Sequence, residues 1–584
     1  MIASGLKTDD TQFGWKIPAI LFFILVVNIL FFLLRPTPGI VPLDILHDHL
    51  WNTGNTVSMT SHFPLQSMNI EQRPYLAYHV LIYIMGAHMA LITGLIPHMV
   101  GLQFIFVPLV PLSVITMAIF LEQFLKRKDI YLFYGLAVLL FGGGFAIVHE
   151  VKVRSNWGSS TNLIGIILLF SMLVLMMHLQ KLKTAGRFIA FFAGLFLATA
   201  AKGSIGAALT AGAVLWAFFR IWKKQLTRTD TVDCLGALLG FVASFLIFFV
   251  LPVWGQPVFN DAMGKTSFPL IPLSYITKND LALPFIESIY KYVPGHYQVP
   301  THVLFTVMFL PVFIVLYFSY RLVAIYDFTK TALEEIDQRI LFVALGSLMI
   351  ALTVNTAPMD SAYFMTSGLF ILDIFFIRHV QKEHLFSLIR SSYGQRQVYA
   401  FMGALFIVVL PFVSSGGWIK TEHIYNFFMD GRIGQVMNDK LSKTTYRQNH
   451  QSITPKMYEA LSYIRKNTGE SSIVVSPNMD LADGRHLAFY TSAFSERTAF
   501  IEGYEFAGIA KEGLVRYVGS SGINAKREII KEIYTDHRVP EEMQNNKYVY
   551  LVDVKAGTEL KKNYSTKTLF GNSTWSVLHV AAKQ

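Results

Sequence analysis

The chain is poor in charged residues and has almost no cysteine. Only 15% of its 584 residues are charged and 53% are hydrophobic, which is typical of a chain built mainly for a hydrocarbon environment. The one cysteine, Cys234, excludes an intramolecular disulfide. A small-residue cleavage site is missing after the apolar stretch 16–35, so we expect this stretch to cross the membrane and not to be a removed signal peptide. The composition therefore indicates a polytopic membrane protein.

Apolar runs of spanning length predict about eleven transmembrane helices. Roughly 17–25 residues of helix cross a bilayer. Runs of this kind occupy 16–35, 101–125, 130–149, 161–180, 235–254, 302–326, 339–356, 360–378 and 398–418. The stretch 187–222 is broken by Lys202-Gly203 and predicts two further, shorter helices.

The basic residues predict the orientation of these helices. If the apolar segment 75–95 lies in the outer interface instead of crossing the membrane, the basic clusters all face the cytoplasm, as the positive-inside rule requires. The amino terminus is then cytoplasmic and the chain after 418 is outside. The net charge of +11 is concentrated before residue 455, and we interpret it as orientation and contact with lipid headgroups, not as nucleic-acid binding. A bacterial inner membrane fits these features, and an endomembrane stays open.

Two domains are predicted. Residues 1–418 form an α-helical transmembrane domain with outer-face loops at 36–100 and 255–300, and residues 419–584 form a small extracytoplasmic α/β domain. In the latter, Thr454-Pro455 predicts the start of a helix that runs to about Lys466. The segments 471–476 and 547–554 have strand composition, and 525–536 has helical spacing.

An acidic, histidine-rich motif follows the first predicted span, between Asp44 and Trp51. Asp44 and Asp48 are four residues apart, so on a helix they would share one face. Asp48 is a candidate general base, and with His47 and His49 it is a candidate divalent-metal site. The alternative is a hydrated or helix-capping interfacial loop. A carboxylate pair with water would suit Mg²⁺ better than imidazoles, so Mg²⁺ and Mn²⁺ both stay open as cofactors.

Two other polar groups are predicted to reach the same outer face. Glu150 follows the third predicted span and is a candidate partner of Asp48. Lys152 or Arg154 is a candidate phosphate ligand, unless these side chains only snorkel to the interface. Lys202 interrupts an apolar hairpin, where a cation is costly unless it meets water or an anion. A lipid phosphate is its natural partner, and a structural helix cap is the alternative.

In combination these motifs resemble those of the GT-C glycosyltransferases, polytopic enzymes that use polyprenyl-phosphate sugars and include protein mannosyltransferases and lipid A aminoarabinose transferases. Four matches in the same order carry the resemblance: His47-Asp48-His49, the segment Arg73 to His79, the segment Glu150 to Arg154, and Lys202-Gly203. The resemblance covers residues 1–255, and the later spans and the tail agree in layout only. One departure is that Asp48 is followed by His49, where family members commonly have a second acid.

The resemblance implies a GT-C-like fold and sugar transfer at the outer face, from a polyprenyl-phosphate donor to a lipid, glycan or protein acceptor. Asp48 would be the general base and Glu150 a second catalytic group. The implied substrate-binding residues are Asp44, His49, Tyr78, His79, Lys152, Arg154 and Lys202. Expected partners are thus the donor, the acceptor and membrane lipids.

Different classes of function remain open. A transporter or lipid flippase would place ionisable residues near the bilayer midplane and often has two matching halves. Here these residues gather at one face and we find no matching half, which favours the enzyme. A non-catalytic envelope assembly protein is the third alternative. The aromatic loop 255–300 is expected to cover a substrate or to anchor at the interface, and Ser495 to Arg497 and Glu502 to Tyr504 to select the acceptor or to cap the bundle.

Overall fold

The computed structural model describes residues 43–71, 75, 80–126, 132, 136, 139, 160–254, 321, 333–353, 358–382, 450–477, 489–502 and 520–583. Its principal helices are α1 (His47–Ser61), α2 (Leu81–Thr93), α3 (Phe106–Leu125), α4 (Ser160–His178), α5 (Thr184–Ala201), α6 (Gly203–Trp222), α7 (Arg228–Phe245), α8 (Glu335–Thr353), α9 (Pro358–Lys382), α10 (Pro455–Asn467), α11 (Tyr490–Ser495), α12 (Ser520–Lys531) and α13 (Val554–Asn563). The strands are β1 (Leu43–Leu46), β2 (His450–Ile453), β3 (Ile473–Val475), β4 (Thr498–Ala499), β5 (Tyr548–Asp553), β6 (Ser565–Gly571) and β7 (Trp575–Ala581).

Spatial contacts divide the chain into two compact units. We call the described residues within 107–246 and 321–382 the helical unit. We call those within 43–106, 247–254 and 450–583 the mixed unit, since they contain both helices and strands. The prediction of a domain boundary at 418 and of an extracytoplasmic tail stays a prediction.

Five helical segments among the described residues are long and apolar enough to cross a membrane. They are Pro97–Leu125, Ser160–Lys181, Thr184–Ala201, Gly203–Trp222 and Arg228–Val250. The chain is therefore an integral membrane protein, and the break at Lys202 is confirmed. Helix α8 covers residues 339–353 of the predicted span 339–356, and α9 covers the predicted span 360–378. The other predicted spans, 16–35, 130–149, 302–326 and 398–418, lie wholly or almost wholly outside the described residues, so the total of eleven stays a prediction. Helix α2, with 13 residues, is a shorter apolar helix within the predicted interfacial segment 75–95.

Buried ion pairs join the helices of the helical unit. Arg187 on α5 donates from Nε to Asp233 Oδ1 on α7 at 2.9 Å. Arg339 on α8 donates to Asp233 Oδ2 at 2.8 Å and to Asp230 Oδ1 at 2.6 Å. Trp216 Nε1 on α6 donates to Asp230 Oδ1 at 2.9 Å. Each buried charge has partners of the opposite sign, which offset the free energy of removing it from water. The loss of one partner would leave a buried charge uncompensated.

A five-stranded sheet is the centre of the mixed unit, in the order β4-β3-β5-β7-β6. Strands β3, β4 and β5 run parallel, whereas β5, β7 and β6 pair antiparallel. Successive side chains of a strand point to opposite faces. Accordingly, Val549 and Leu551 pack with α10 and α11 in one core, while Tyr550 packs with α12 and α13 in the other.

The local predictions for the tail are confirmed. Helix α10 begins at Pro455, and the Thr454 hydroxyl accepts a hydrogen bond from the Met457 amide, as an N-cap does. Strands β3 and β5 lie within the predicted segments 471–476 and 547–554. Helix α12, continued by a π-helix over Glu532–Asp536, covers the predicted segment 525–536.

Candidate functional site

The acidic motif lies where a strand changes into a helix. Asp44 is in β1, which pairs antiparallel with β2 and places Asp44 opposite Ser452. Helix α1 begins at His47, so His47, Asp48 and His49 form its first turn. The expectation that Asp44 and Asp48 share one helical face is wrong, because strand pairing with β2 holds Asp44 outside the helix. The side chains of these residues lie outside the described part, which begins for side chains at Leu50.

Helix α1 is held by buried polar side chains. It buries Asn52, Thr53, Asn55, Thr56 and Ser58. The Tyr83 hydroxyl on α2 donates to Asn52 Oδ1 at 2.5 Å, and Thr56 donates to the Asn52 carbonyl at 3.0 Å. Gly101 brings the following chain so close that a Cβ there would lie 3.0 Å from Thr53 Cα. The hydrogen bond from Tyr83 and the close approach at Gly101 hold α1, whose first turn carries Asp48, against α2 and the chain that follows it.

Helix α1 also belongs to the core of the mixed unit. Leu50 is fully buried in the same cluster as α10, α11 and β5. Trp51 packs edge-on against Phe489, with ring centroids 5.0 Å apart. The segment preceding α2 extends the sheet, since the Ala499 amide donates to the Met68 carbonyl at 2.8 Å and Ile70 bridges to Ile501. The motif is therefore built into the fold of the tail.

Glu71 lies at the end of the segment that extends the sheet, in a cluster of charged side chains. It accepts hydrogen bonds from Lys526 at 2.7 Å, Lys547 at 3.2 Å and the Tyr548 hydroxyl at 2.6 Å. Burial acts to raise the pKa of Glu71, but the hydrogen bonds from Lys526 and Tyr548 outweigh it and lower the pKa below 4.5. Lys526 also lies over the Phe500 ring at 3.7 Å. This cluster is an anchor between the segment before α2 and the tail.

Lys202 lies in the helical unit, at the break between α5 and α6. Its backbone is extended (φ −157°, ψ 106°), so it ends one helix and begins the next. The side chain is only 7% exposed. Gly165 on α4 permits this burial, because a Cβ there would lie 2.9 Å from Lys202 Cβ. The structure thus places Lys202 as predicted, between two helices, with its stem against α4.

The predicted site residues are distributed between two units. Asp44, His47, Asp48 and His49 are in the mixed unit and Lys202 is in the helical unit. Tyr78, His79, Glu150, Lys152 and Arg154 lie outside the described residues, as does the loop 255–300. Among described side chains, no group of three or more His, Cys, Asp or Glu could hold a metal ion. The metal site at His47, Asp48 and His49 stays a prediction.

One buried cluster was not predicted from the sequence. His98, fully buried, has Nδ1 2.9 Å from both Glu496 Oε1 and Arg465 Nη1, and Nε2 3.0 Å from the Tyr458 hydroxyl. A guanidinium only donates and a carboxylate only accepts, so Nδ1 serves one of the two at a time. The available signal was a histidine beside Pro97 at the start of an apolar run, where a polar side chain needs a partner.

The tail motif Ser495 to Arg497 has a structural role within the mixed unit. Arg497 donates to the carbonyl groups of Arg465 at 2.6 Å and Thr468 at 2.7 Å, which satisfies acceptors at the end of α10. The Ser495 hydroxyl donates to the Thr491 carbonyl at 2.6 Å within α11. These contacts support capping of the tail's own helices. Selection of an acceptor by this motif stays a prediction.

Several solved structures are similar to the whole chain. The archaeal oligosaccharyltransferase AglB from Archaeoglobus fulgidus, in complex with an inhibitory peptide and a dolichol-phosphate, is 11% identical with a TM-score of 0.48, over 98% of this chain and 75% of AglB. ArnT from Cupriavidus metallidurans, bound to undecaprenyl phosphate, is 10% identical with a TM-score of 0.42, over 98% of this chain and 99% of ArnT. No protein-family model and no curated protein matches the chain.

With TM-scores below 0.5 and identities of 10–12%, these likenesses carry no inference about the fold or the chemistry of this chain.

Proposed function

We propose that the protein is a membrane glycosyltransferase that transfers a sugar from a polyprenyl-phosphate donor to a lipid, glycan or protein acceptor. The observation that carries this proposal is the position of Asp48. It lies in the first turn of a helix whose buried polar side chains fix it within the mixed unit. The first turn of a helix favours an ionised carboxylate, which is the form that a general base requires.

In the proposed reaction, an acceptor hydroxyl or amine attacks the anomeric carbon of the donor sugar. Asp48 takes the proton of the attacking group while the bond between the anomeric carbon and the phosphate oxygen breaks. The bonding electrons leave with the polyprenyl phosphate. A single displacement of this kind inverts the anomeric carbon. Glu150 would orient the acceptor beside Asp48, and Asp44, His49, Tyr78 and His79 would bind the sugar or acceptor.

The departing phosphate gains negative charge, so it needs cations more than a proton. Lys202 is suited to this task, since its buried position strengthens its attraction for an anion. Lys152 and Arg154 would add further positive charge. Fixed charges aimed at a developing anion are usually the largest catalytic contribution.

The test is donor turnover by the purified full-length protein in lipid nanodiscs, with a panel of radiolabelled polyprenyl-phosphate sugars. Asp48→Asn is compared with Asp536→Asn, an exposed aspartate in the mixed unit. Lys202→Met is compared with Lys181→Met, an exposed lysine in the helical unit. Each pair makes the same chemical change inside and outside the proposed site. A chelator, followed by Mg²⁺ or Mn²⁺, tests the metal.

We expect Asp48→Asn to lower turnover by about 100-fold or more, the range for loss of a general base. Lys202→Met is expected to weaken donor binding by about tenfold, the loss of one charge-assisted hydrogen bond. Both controls should match the wild type. Full turnover in Asp48→Asn would exclude Asp48 as the base. If the wild type binds no donor of the panel, the enzyme proposal fails and a transporter or an assembly protein becomes the better hypothesis.

A further inference from the structure

A buried carboxyl group of the tail, Glu502, holds the helix that packs against α1. Its Oε2 accepts a hydrogen bond from the Thr491 amide at 2.9 Å, and its Oε1 accepts one from the Ser492 amide at 3.0 Å. The side chain is completely buried. Both acceptors face one short segment, the first turn of α11, which is thereby tied to the end of the sheet beyond β4.

Glu502 also takes part in a closed ring of hydrogen bonds with the segment before α2. The Glu502 amide donates to the Asn69 carbonyl at 2.9 Å. The Asn69 side chain accepts a hydrogen bond from the Ser492 hydroxyl at 2.9 Å. The Ser492 amide donates to Glu502 Oε1, which closes the ring. Three buried residues from two distant parts of the chain are thus fixed against each other.

Helix α1 rests on this ring. A Cβ at Gly54 would lie 3.3 Å from Ser492 Oγ, so the glycine backbone is seated directly on the serine. Gly54 follows Asp48 by six residues on the same helix, which is less than two turns. Trp51 lies between them and packs on Phe489, the residue before α11. We therefore expect a shift of α11 to displace the first turn of α1.

We propose that Glu502 is a positioning residue. Its ionised carboxylate binds the amides of Thr491 and Ser492 in α11, which supports α1 and keeps Asp48 in place for sugar transfer. This inference rests on the proposed function. Glu502 touches no reacting atom in this scheme. It acts through Ser492 and Gly54.

In this proposal the position of α1 depends on whether the Glu502 carboxyl group is protonated. Burial raises the pKa of Glu502 to about 7, and the hydrogen bonds from Ser492 and Thr491 only partly oppose it. Once protonated, one oxygen carries a hydrogen and is a weaker acceptor, so the hydrogen bond from one of the two amides is weakened. The titratable side chain that faces Glu502 from α11 is Tyr490, whose pKa is raised by burial first and by the Glu502 charge second. Neutral Asn69 faces it from the segment before α2.

Two measurements on the full-length protein in nanodiscs test the proposal. The first is the dependence of kcat and KM for donor turnover on pH between 5.5 and 8.5. The second is amide hydrogen exchange of residues 50–61 and 490–495 at pH 6 and 8, corrected for the intrinsic exchange rate. The variants are Glu502→Gln, Ser492→Ala and the control Glu528→Gln, which alters an exposed carboxylate.

We expect wild-type kcat to fall as the pH drops through about 7, with little change in KM. Glu502→Gln at pH 8 should behave like the wild type at pH 6, with kcat lowered about tenfold for the lost hydrogen bond and no remaining response near pH 7. Amide hydrogen exchange of residues 50–61 should be faster in Glu502→Gln than in the wild type at pH 8. Ser492→Ala keeps the amide, so it should lower kcat yet retain the response to pH. Glu528→Gln should match the wild type.

Unchanged exchange in residues 50–61 in both Glu502→Gln and Ser492→Ala would overturn the proposal. So would a response near pH 7 that persists in Glu502→Gln. If the wild type turns over no donor, the proposed function fails separately. The hydrogen-exchange measurement then tests the positioning role without turnover. Faster exchange of residues 50–61 in Glu502→Gln supports that role, and exchange equal to the wild type refutes it. Should Glu502→Gln not fold, Ser492→Ala still provides the comparison.

Discussion

The same substitution, glycine to alanine, is expected to have opposite effects in two neighbouring helices of the helical unit. Gly206 lies in the second turn of α6, and a Cβ there would be 2.8 Å from both Cα and Cβ of Thr199 on α5. These are backbone and near-backbone atoms, which cannot rotate away. Gly186 lies near the start of α5, and the nearest atom to its Cβ would be Leu182 Cβ at 3.9 Å, an ordinary contact.

The magnitude follows from two opposing contributions. Alanine is favoured over glycine inside a helix by about 1 kcal/mol, and this gain is common to both sites. Overpacking costs about 1–3 kcal/mol, and only Gly206→Ala incurs it. We therefore expect Gly186→Ala to stabilise the protein by up to about 1 kcal/mol, and Gly206→Ala to be about 1–3 kcal/mol less stable than Gly186→Ala. Gly206→Ala should also displace Lys202, four residues earlier.

Thermal unfolding in detergent, followed by circular dichroism, measures the difference as a shift in Tm. Thr199→Ala provides a partial rescue, because it removes Thr199 Oγ1, the atom nearest to the new methyl group, and leaves the contacts with Cα and Cβ. The double variant should recover part of the lost stability, and the coupling between the two sites is read from a double-mutant cycle. If both glycine substitutions raise the Tm equally, close contact between α5 and α6 at Gly206 is refuted.

Two further predictions follow from the ion pairs. Arg339→Met removes a cation that Asp230 and Asp233 share, so it should lower the free energy of unfolding by about 3–5 kcal/mol. The measurement is the fall in Tm relative to Arg228→Met, which alters an exposed arginine. Equal Tm values for the two variants would contradict a buried network. Because the pKa of Glu71 is lowered in the fold, its ionised form stabilises the protein above pH 4.5, and this stability is lost as the pH falls further. Glu71→Gln should therefore cost about 1–2 kcal/mol at pH 7, an estimate reduced for partial exposure, and progressively less as the pH falls below 4.5. A difference that does not shrink as the pH falls would disprove the role of the charge.

Local signals in the sequence predicted local structure well. The break at Lys202 was predictable because a lysine followed by glycine interrupts an otherwise apolar stretch. The start of α10 was predictable because Thr454 and Pro455 are the residue types that cap and begin helices. In each case the deciding residues are adjacent in the chain, so their spacing alone carries the information.

Long-range partners were not predictable in this way. Asp44 was expected on a helix with Asp48, but its strand is specified by β2, about 400 residues later. Nothing near Glu502 in the sequence indicates that both its oxygens bind amides of α11. The side chains of the acidic motif, together with Glu150, Lys152 and Arg154, belong to the part of the candidate site that stays predicted from the sequence.

The pairing of β1 with β2 has a consequence for the order in which the protein forms during synthesis. Strand β1 and the segment ending at Glu71 are made first, and their partners follow about 400 residues later, which at 5–20 residues per second takes about 20–80 s. Throughout that interval α1 lacks the core that buries Leu50. The acidic motif therefore acquires its final position only when the last part of the chain has folded, so a ribosome-bound or truncated chain has its membrane helices before it has a finished site.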